Sequence, residues 1–252
     1  MTKDAVKEAV LALSHAVGLP ARSLAILGEG NTSGKINDET FWVKASGTNL
    51  ATLSDAGLVE CDTKRILQLF DDGDISDEEI EEHLLDSRVD KTAKKPSVEC
   101  LFHAHLLELP GIRFIAHTHP IAVNQILCSP LAERFAASRL FPDEIVCCGS
   151  ESVIVPYTDP GLTLARLIRD KTDAFIRKHG LPPRVILLQN HGAITLGPSP
   201  QAAEAAMLML EKSAQIFVGA AALGGPISLT AENVYRIANR IDEHYRQKQL
   251  NL

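Results

Sequence analysis

Three histidines stand where they could meet at one metal ion. His117 and His119 are two residues apart at the end of the apolar run 112–116, which predicts a β-strand whose alternate residues face the same side. His191 follows a second predicted strand at 185–188 and could supply a third ligand from a neighbouring strand end. Three histidines would leave a tetrahedral ion one open position, which is typical of a catalytic zinc. The spacing alone fits equally well with strand-end histidines that hydrogen-bond to the backbone.

A second pair of histidines with the same spacing receives a different interpretation. His103 and His105 fall inside a helix predicted over residues 98–108. A step of two residues on a helix turns the side chain by ~200°, so this pair cannot close on one ion. We expect both residues at the helix surface or at the edge of the core.

Glu99 is the carboxylate with the most suggestive position. It lies in the first turn of the predicted helix that Ser97 caps, where the helix dipole stabilises a negative charge by ~0.3–1 kcal/mol. Helix capping is therefore a sufficient structural explanation. The same helix start, with its free backbone N–H groups and the nearby Lys94 and Lys95, is also suited to bind phosphate.

Two loops of small residues could also hold an anion. The first is the glycine-rich stretch at 28–34, and the second contains Ser46 and Gly47. Both could present backbone amides to a ligand, although most glycine-rich loops only allow the chain to turn and bind no ligand.

The remaining pattern predicts helices and strands that alternate along the chain. Helices are expected at 3–17, 161–178, 200–219 and 231–248, two short helices within 62–90, and strands at 41–45, 144–148 and 152–155. Ser76 and Glu79 form a capping-box pattern for the second short helix. Because no repeat or low-complexity linker separates these elements, the sequence predicts one α/β domain over residues 1–252, with a mixed sheet and covering helices.

Composition excludes several classes of protein. The 252 residues are 45% hydrophobic and 23% charged, which excludes a disordered chain. The net charge is −7 and no basic tract is present, so nucleic acid is not an expected partner. The five cysteines are odd in number and scattered, which favours reduced thiols in the core. No apolar run reaches ~20 residues and the N-terminus lacks a signal-peptide pattern, so we expect a cytoplasmic protein that does not bind membranes.

Six short motifs, taken in order, resemble those of a known family. They are Gly-Asn-Thr-Ser at 30–33, Lys-Ala-Ser-Gly at 44–47, Pro-Ser-Val-Glu at 96–99, His-Thr-His-Pro at 117–120, Pro-Tyr at 156–157 and Gln-Asn-His-Gly at 189–192. The same order is found in the class II aldolase/adducin family, which includes L-fuculose-phosphate and L-rhamnulose-phosphate aldolases. The set covers about two thirds of the chain and is far more specific than any one motif.

The resemblance implies a role for each matching residue. His117, His119 and His191 would bind Zn²⁺, or Mn²⁺ or Co²⁺ in its place, and Glu99 would act as the general acid/base. Tyr157 would reach a neighbouring subunit's site and assist proton transfer at the leaving hydroxyl. The substrate phosphate would be held by a set of loop residues, namely Gly30, Asn31, Ser46, Gly47 and Ser97. The implied fold is a three-layer α/β/α sandwich with a mostly antiparallel central sheet, assembled as a homotetramer with active sites near subunit interfaces.

The function that the resemblance implies is a zinc-dependent aldolase. Such an enzyme cleaves a small ketose 1-phosphate into dihydroxyacetone phosphate and an aldehyde. A metal-dependent decarboxylase or dehydratase of a related sugar phosphate would use the same site, and an adducin-like scaffold without catalysis is less favoured because that branch lacks the metal histidines. Val98 replaces a serine that is common in the fuculose enzymes, and Lys35 replaces an arginine that is common in related sequences. The segment between Gly47 and Ser97 is longer than in the compact fuculose-type members. These departures leave the substrate open.

Overall fold

A seven-stranded sheet with helices on both faces makes up the protein, as seen in a computed structural model that describes residues 1–71, 73, 75–249 and 251. The strands are β1 (Asn31–Lys35), β2 (Thr40–Lys44), β3 (Leu58–Asp62), β4 (Phe114–Thr118), β5 (Val153–Val155), β6 (Val185–Leu188) and β7 (Gly192–Gly197). The helices are α1 (Lys3–Val17), α2 (Thr63–Gln68), α3 (Asp77–Asp86), α4 (Cys100–Leu107), α5 (Ile121–Leu127), α6 (Ala132–Ala137), α7 (Pro142–Cys148), α8 (Leu162–His179), α9 (Pro200–Ala221), α10 (Ala231–Ala238) and α11 (Ile241–Gln249).

The strands follow the order β3-β2-β1-β4-β7-β6-β5 across the sheet. The sheet, expected to be mostly antiparallel, is a mixed one. Strand β5 runs parallel to β6, and the other five pairings among the described residues are antiparallel. The parallel pair follows from the connection, because α8 carries the chain from the end of β5 back to the start of β6. The expected three-layer α/β/α arrangement is confirmed.

Successive residues of β4 face the two apolar layers in turn. Ile115 packs in the cluster formed with α2, α3, α4 and α8, whereas Phe114 and Ala116 pack in the cluster formed with α1, α5, α6, α7 and α9. The two-residue period of a strand continues this alternation to the end of β4. His117 therefore points to the α4 side, while Thr118 points to the opposite side and donates to the sulfur of Met207 in α9.

Several predicted elements differ from the structure. The strand expected at 144–148 is helix α7, which spans Pro142–Cys148 and is followed by the C-cap residue Gly149 with φ of 79°. An apolar run of four residues does not distinguish a buried strand from a buried helix, and the helix-starting proline is the better signal. The single helix expected at 231–248 is divided into α10 and α11 around Asn239 and Arg240. Helix α6 was not predicted.

Other local predictions are confirmed. Helix α1 spans Lys3–Val17, and the capping box of Ser76 and Glu79 is present at the start of α3. All five cysteines are free and four of them are buried as expected, whereas Cys128 is exposed. Among the described residues, no helix is both long enough and apolar enough to cross a membrane.

Candidate metal centre

The antiparallel pairing of β4 with β7 brings the three predicted ligands together. His117 lies in β4 and His119 follows its last residue, whereas His191 directly precedes the first residue of β7. Thr118 pairs with Ala193, so the end of β4 lies beside the start of β7. His191 thus comes from the turn between β6 and β7, and the strand that neighbours β4 is β7 rather than β6.

The three imidazole rings surround one small space. Their centroids are 4.9 Å apart for His117 and His119, 5.0 Å for His117 and His191, and 4.9 Å for His119 and His191. One ring nitrogen from each residue lies within 4.8 Å of the others, and the Nε2 atoms of His117 and His119 are 3.1 Å apart. Two nitrogens bound tetrahedrally to zinc are about 3.4 Å apart, so a group of this size could hold a divalent metal ion.

A backbone hydrogen bond orients His117, the buried member of the three histidines. Its Nδ1–H donates to the carbonyl oxygen of Ala193 at 3.0 Å, which leaves the Nε2 lone pair directed into the site. Burial alone would lower the pKa of His117, but the carboxylate of Glu99 and the bond to Ala193 outweigh it and the pKa is raised. Burial and the two neighbouring imidazoles lower the pKa of His119 to about 3. His119 is therefore neutral at physiological pH and free to act as a ligand.

Glu99 joins the histidines instead of capping its helix. It is the N-cap residue of α4, yet its side chain makes no capping hydrogen bond. Oε1 lies 3.4 Å from Nε2 of His117 and 3.3 Å from Nε2 of His191, while Oε2 accepts a hydrogen bond from Asn31. Burial would raise the pKa of Glu99, but His117 and His191 outweigh it and hold the pKa well below the usual range. Three imidazoles and one carboxylate form a donor set that fits a divalent metal ion.

The predicted phosphate residues lie in neighbouring loops. An isolated bridge joins Ala45 to Pro96, and the backbone N–H of Ser46 donates to the carbonyl of Lys95 at 3.0 Å. This pairing brings the loop of Ser46 and Gly47 beside Ser97, and it also means that the Ser46 amide is already occupied. The hydroxyl of Ser97 accepts from the backbone N–H of Glu99 at 3.3 Å.

Gly30 and Asn31 connect the glycine-rich loop to the ligand strand. Gly30 has φ of +70°, and a Cβ at this position would lie 2.5 Å from the carbonyl oxygen of His117, so only glycine fits here. Asn31 is the direct cross-strand partner of His117. The glycine therefore lets the loop approach β4 closely, and Asn31 reaches Glu99 as a result.

Lys44 is a buried charge that the sequence analysis did not assign to the site. Its side chain is almost fully buried, and Nζ donates to the carbonyl of Gly28 at 3.2 Å. Burial lowers the pKa of Lys44, while Glu99 opposes this effect. Lysine is rarely buried without a partner. In the sequence, Lys44 lies between Val43 and Ala45 on a predicted strand, and this apolar setting was the signal that could have indicated its burial.

His103 is a second residue whose place was predicted wrongly. It is fully buried inside α4, where it bonds to Ser33 and to Asn31, although we expected it at the surface or core edge. Burial lowers its pKa to about 3, so the ring is neutral. His105 is half-buried, as expected. The four-residue spacing from Glu99 to His103, which places both on one helix face, was the signal that could have found it.

Within the single chain, the described contacts of Tyr157 do not include Glu99 or the three histidines. It is 58% exposed on the loop after β5, and its hydroxyl donates to Asp159 at 3.2 Å. Its predicted role in a neighbouring subunit's site stays a prediction.

A mixed sheet between two helical layers, with three histidines and a carboxylate at the end of a central strand, defines a domain of the class II aldolase type. Residues 8–218 match the family model of the Class II Aldolase and Adducin N-terminal domain, and the chain belongs to this family. YgbL of Escherichia coli, a putative aldolase/epimerase/decarboxylase, shares this fold.

Three further known proteins are similar to this chain in sequence or in structure. The uncharacterized oxidoreductase YuxG of Bacillus subtilis (strain 168) is 29% identical over 188 residues, which are 71% of this chain and 25% of that protein. The chain therefore spans about a quarter of the length of this curated relative. The N-terminal class II aldolase domain of a conserved protein from Thermoplasma acidophilum is 27% identical with a TM-score of 0.69, over 86% of this chain and 96% of that one. An L-fuculose 1-phosphate aldolase is 18% identical with a TM-score of 0.72, over 96% and 98%, and this likeness shows the fold alone.

Proposed function

We propose that the protein is a zinc-dependent aldolase that cleaves a small ketose 1-phosphate into dihydroxyacetone phosphate and an aldehyde. The observation that carries the proposal is the position of Glu99, whose Oε1 faces the Nε2 atoms of His117 and His191 at 3.4 and 3.3 Å. A carboxylate at this distance from a metal site is placed both to contact the ion and to move a proton beside it.

The chain's own groups would divide the chemistry between them. A metal ion bound by the histidines would polarise the substrate carbonyl and offset the negative charge that develops when the carbon–carbon bond breaks. Glu99 has a low pKa and would take a proton from carbon in the aldol direction. In the cleavage direction the same group, once protonated, would return that proton to carbon. Tyr157 would assist the transfer of the proton from the hydroxyl of the departing half to solvent.

A local positive charge supports a phosphorylated substrate. The chain carries a net charge of −7, so an anionic substrate needs a local attraction. Lys44 supplies it at the edge of the site, and Gly30, Asn31, Ser46, Gly47 and Ser97 would hold the phosphate itself. Because the Ser46 amide is paired with Lys95, we assign phosphate binding at this residue to its hydroxyl.

The wider proposal concerns the whole molecule. We propose that residues 1–252 form one domain, because a single sheet carries both apolar clusters. We further propose a cytoplasmic homotetramer in which Tyr157 reaches the site of an adjacent subunit. Because Tyr157 is 58% exposed in the single chain, an adjacent subunit could cover its ring.

Decarboxylation or dehydration of a related sugar phosphate is the second candidate. It would use the same histidines and Glu99, and Val98, which replaces a serine common in the fuculose enzymes, removes one hydroxyl that could hold a phosphate. A scaffold without catalysis is less favoured, because the three histidines and Glu99 converge on one point.

The test is a substrate panel with zinc-loaded protein. Ketose 1-phosphates and phosphorylated oxo acids are supplied, and release of dihydroxyacetone phosphate and of carbon dioxide is followed. We expect dihydroxyacetone phosphate, and we expect Glu99→Gln to lower the rate by about 10²–10⁴-fold while the exposed control Glu108→Gln keeps it. Carbon dioxide without dihydroxyacetone phosphate would favour the second candidate. Full cleavage activity in Glu99→Gln would overturn the role of Glu99.

A further inference from the structure

Four side chains form an unbroken hydrogen-bonded line that ends at Glu99. The Oγ atom of Ser33 lies 2.6 Å from Nδ1 of His103, and Nε2 of His103 bonds to Oδ1 of Asn31. Nδ2 of Asn31 donates in turn to Oε2 of Glu99 at 2.5 Å. Ser33 and His103 are fully buried and Asn31 nearly so. In such surroundings each polar atom needs a partner of the opposite kind.

The direction of every bond in this line follows from its end. An ionised carboxylate can only accept, so the amide nitrogen of Asn31 faces Glu99 and its amide oxygen faces His103. That oxygen requires a donor, so Nε2 of His103 carries the ring proton. A neutral imidazole has one donor and one acceptor, hence Nδ1 accepts from the hydroxyl of Ser33.

The two elements that carry the line place its members on one side. Asn31 and Ser33 are alternate residues of β1 and share a face, whereas Glu99 and His103 lie one turn apart at the start of α4. The backbone N–H of His103 donates to the carbonyl of Glu99 at 3.3 Å. His103 therefore spans the gap between helix and strand.

We propose that His103 is a positioning residue that fixes the amide of Asn31 and thereby holds Glu99 with Oε2 on Asn31 and Oε1 toward the three histidines. The inference deepens the proposed function and rests on it for the catalytic consequence. Without the donor at Nε2, the amide of Asn31 can turn over and present its oxygen to the carboxylate, which repels it. Glu99 then loses the hydrogen bond that holds its Oε2 atom, and the carboxylate is no longer held in the orientation that proton transfer needs.

Two substitutions at residue 103 separate the two ring nitrogens. His103→Gln keeps a donor near the Nε2 position, which bonds to Asn31, but loses the acceptor for Ser33. His103→Asn keeps an acceptor near the Nδ1 position for Ser33, but leaves the oxygen of Asn31 without a donor. His105→Asn makes the same change two residues along the helix, outside the line, and serves as the control.

The kinetic test compares these variants with the unaltered zinc-loaded protein on the substrate it cleaves best in the panel. We expect His103→Asn to lower kcat by about tenfold or more with little change in bound zinc. His103→Gln should recover most of the loss, and His105→Asn should match the unaltered protein. Equal kcat in His103→Asn and His103→Gln would overturn the inference. So would an equal loss of kcat and of bound zinc in both.

A second readout does not depend on activity. Protein labelled with ¹⁵N-histidine and freed of metal is examined by NMR, with His103→Gln used to assign the ring signals of His103. We expect a neutral ring protonated at Nε2, and protonation at Nδ1 would overturn the inference even if the variants lose activity. Absence of aldol cleavage in the unaltered protein, with the Nε2 proton present, would instead count against the proposed reaction and leave the positioning of Asn31 standing.

Discussion

Gly192 and His119 are so close that no side chain fits between them. A Cβ on residue 192 would lie 2.6 Å from Cδ2 of the His119 ring and 2.6 Å from the carbonyl oxygen of Thr118. Gly192 is also the residue that follows His191. The approach of the β6–β7 turn to the end of β4, and with it the closure of the three-histidine group, depends on the missing side chain.

Gly192→Ala should therefore weaken metal binding without unfolding the protein. The new methyl group has to displace the His119 ring, and disturbances of ligand orientation cost about 10–100-fold in metal affinity. Competition with a chromogenic chelator measures the change. Gly219→Ala is the matched control, because Gly219 lies in α9 with no atom within 4 Å of an added Cβ. Unchanged affinity in Gly192→Ala would mean that the ligands do not need this close approach.

Lys44→Met tests the local positive charge. Removing the ammonium should raise KM for a phosphorylated ketose by about 10–100-fold, because hydrogen bonds to charged groups contribute ~1.5–3 kcal/mol. The unphosphorylated sugar should be affected much less, so the ratio of the two KM values is the quantity to measure. Lys171→Met, an exposed change on α8, is the control. Equal effects on both sugars would show that Lys44 does not act on the phosphate.

Glu151 gives a pH-dependent contribution to stability. Its Oε1 lies 2.6 Å from both Nζ of Lys178 and Nε2 of His179. Burial would raise the pKa of Glu151, but these two partners outweigh it and the pKa is lowered. A lowered pKa stabilises the folded state above the unfolded value of about 4.3, and this contribution disappears as the pH falls through the folded value.

Glu151→Gln should accordingly lower the thermal midpoint at pH 7 by up to about 3 °C, the size of an exposed ion pair in a chain of this length. The difference should shrink as the pH is lowered from about 5 to 3. Differential scanning calorimetry across this range measures it, with the exposed Glu39→Gln as the control. A difference that persists unchanged at pH 3 would show that the ion pair is not its source.

Tyr157 should act on a subunit other than its own. Tyr157→Phe and Glu99→Gln are each expected to lose most activity, whereas oligomers mixed from the two should regain it. In a random equal mixture about a quarter of the sites combine an intact Glu99 with an intact neighbouring Tyr157. Activity is measured after mixing under conditions that exchange subunits. A mixture no more active than its two components would contradict the shared site.

The sequence predicted the parts of the site that follow from local periodicity. The apolar run before His117 indicated a strand end, and the two-residue period placed His117 and His119 on one face. The pairing partner of that strand depends on contacts distant in sequence. The sequence therefore placed His191 at a strand end, but it did not show that β7, the strand after His191, pairs with the strand of His117. The family motifs supplied Asn31 and Glu99, but not the bond between them.

The wrong predictions concern residues whose burial is decided by tertiary packing. His103 was expected near the surface because a helix turns successive positions apart, yet α4 is buried on nearly every side. Its place therefore depends on what packs against the helix rather than on the helix itself. The run 144–148 predicts a strand because its residues favour strands, but α7 packs against α9 as a helix instead.

We expect His117, His119 and His191 to hold one divalent metal ion beside Glu99. Crystals of the purified protein, measured at the absorption edge of zinc and after exchange into manganese, test it directly by anomalous scattering. We expect one peak per chain within bonding distance of all three Nε2 atoms, and loss of that peak in His117→Gln but not in the exposed control His83→Gln. A metal-saturated crystal with no peak between the three rings would contradict it.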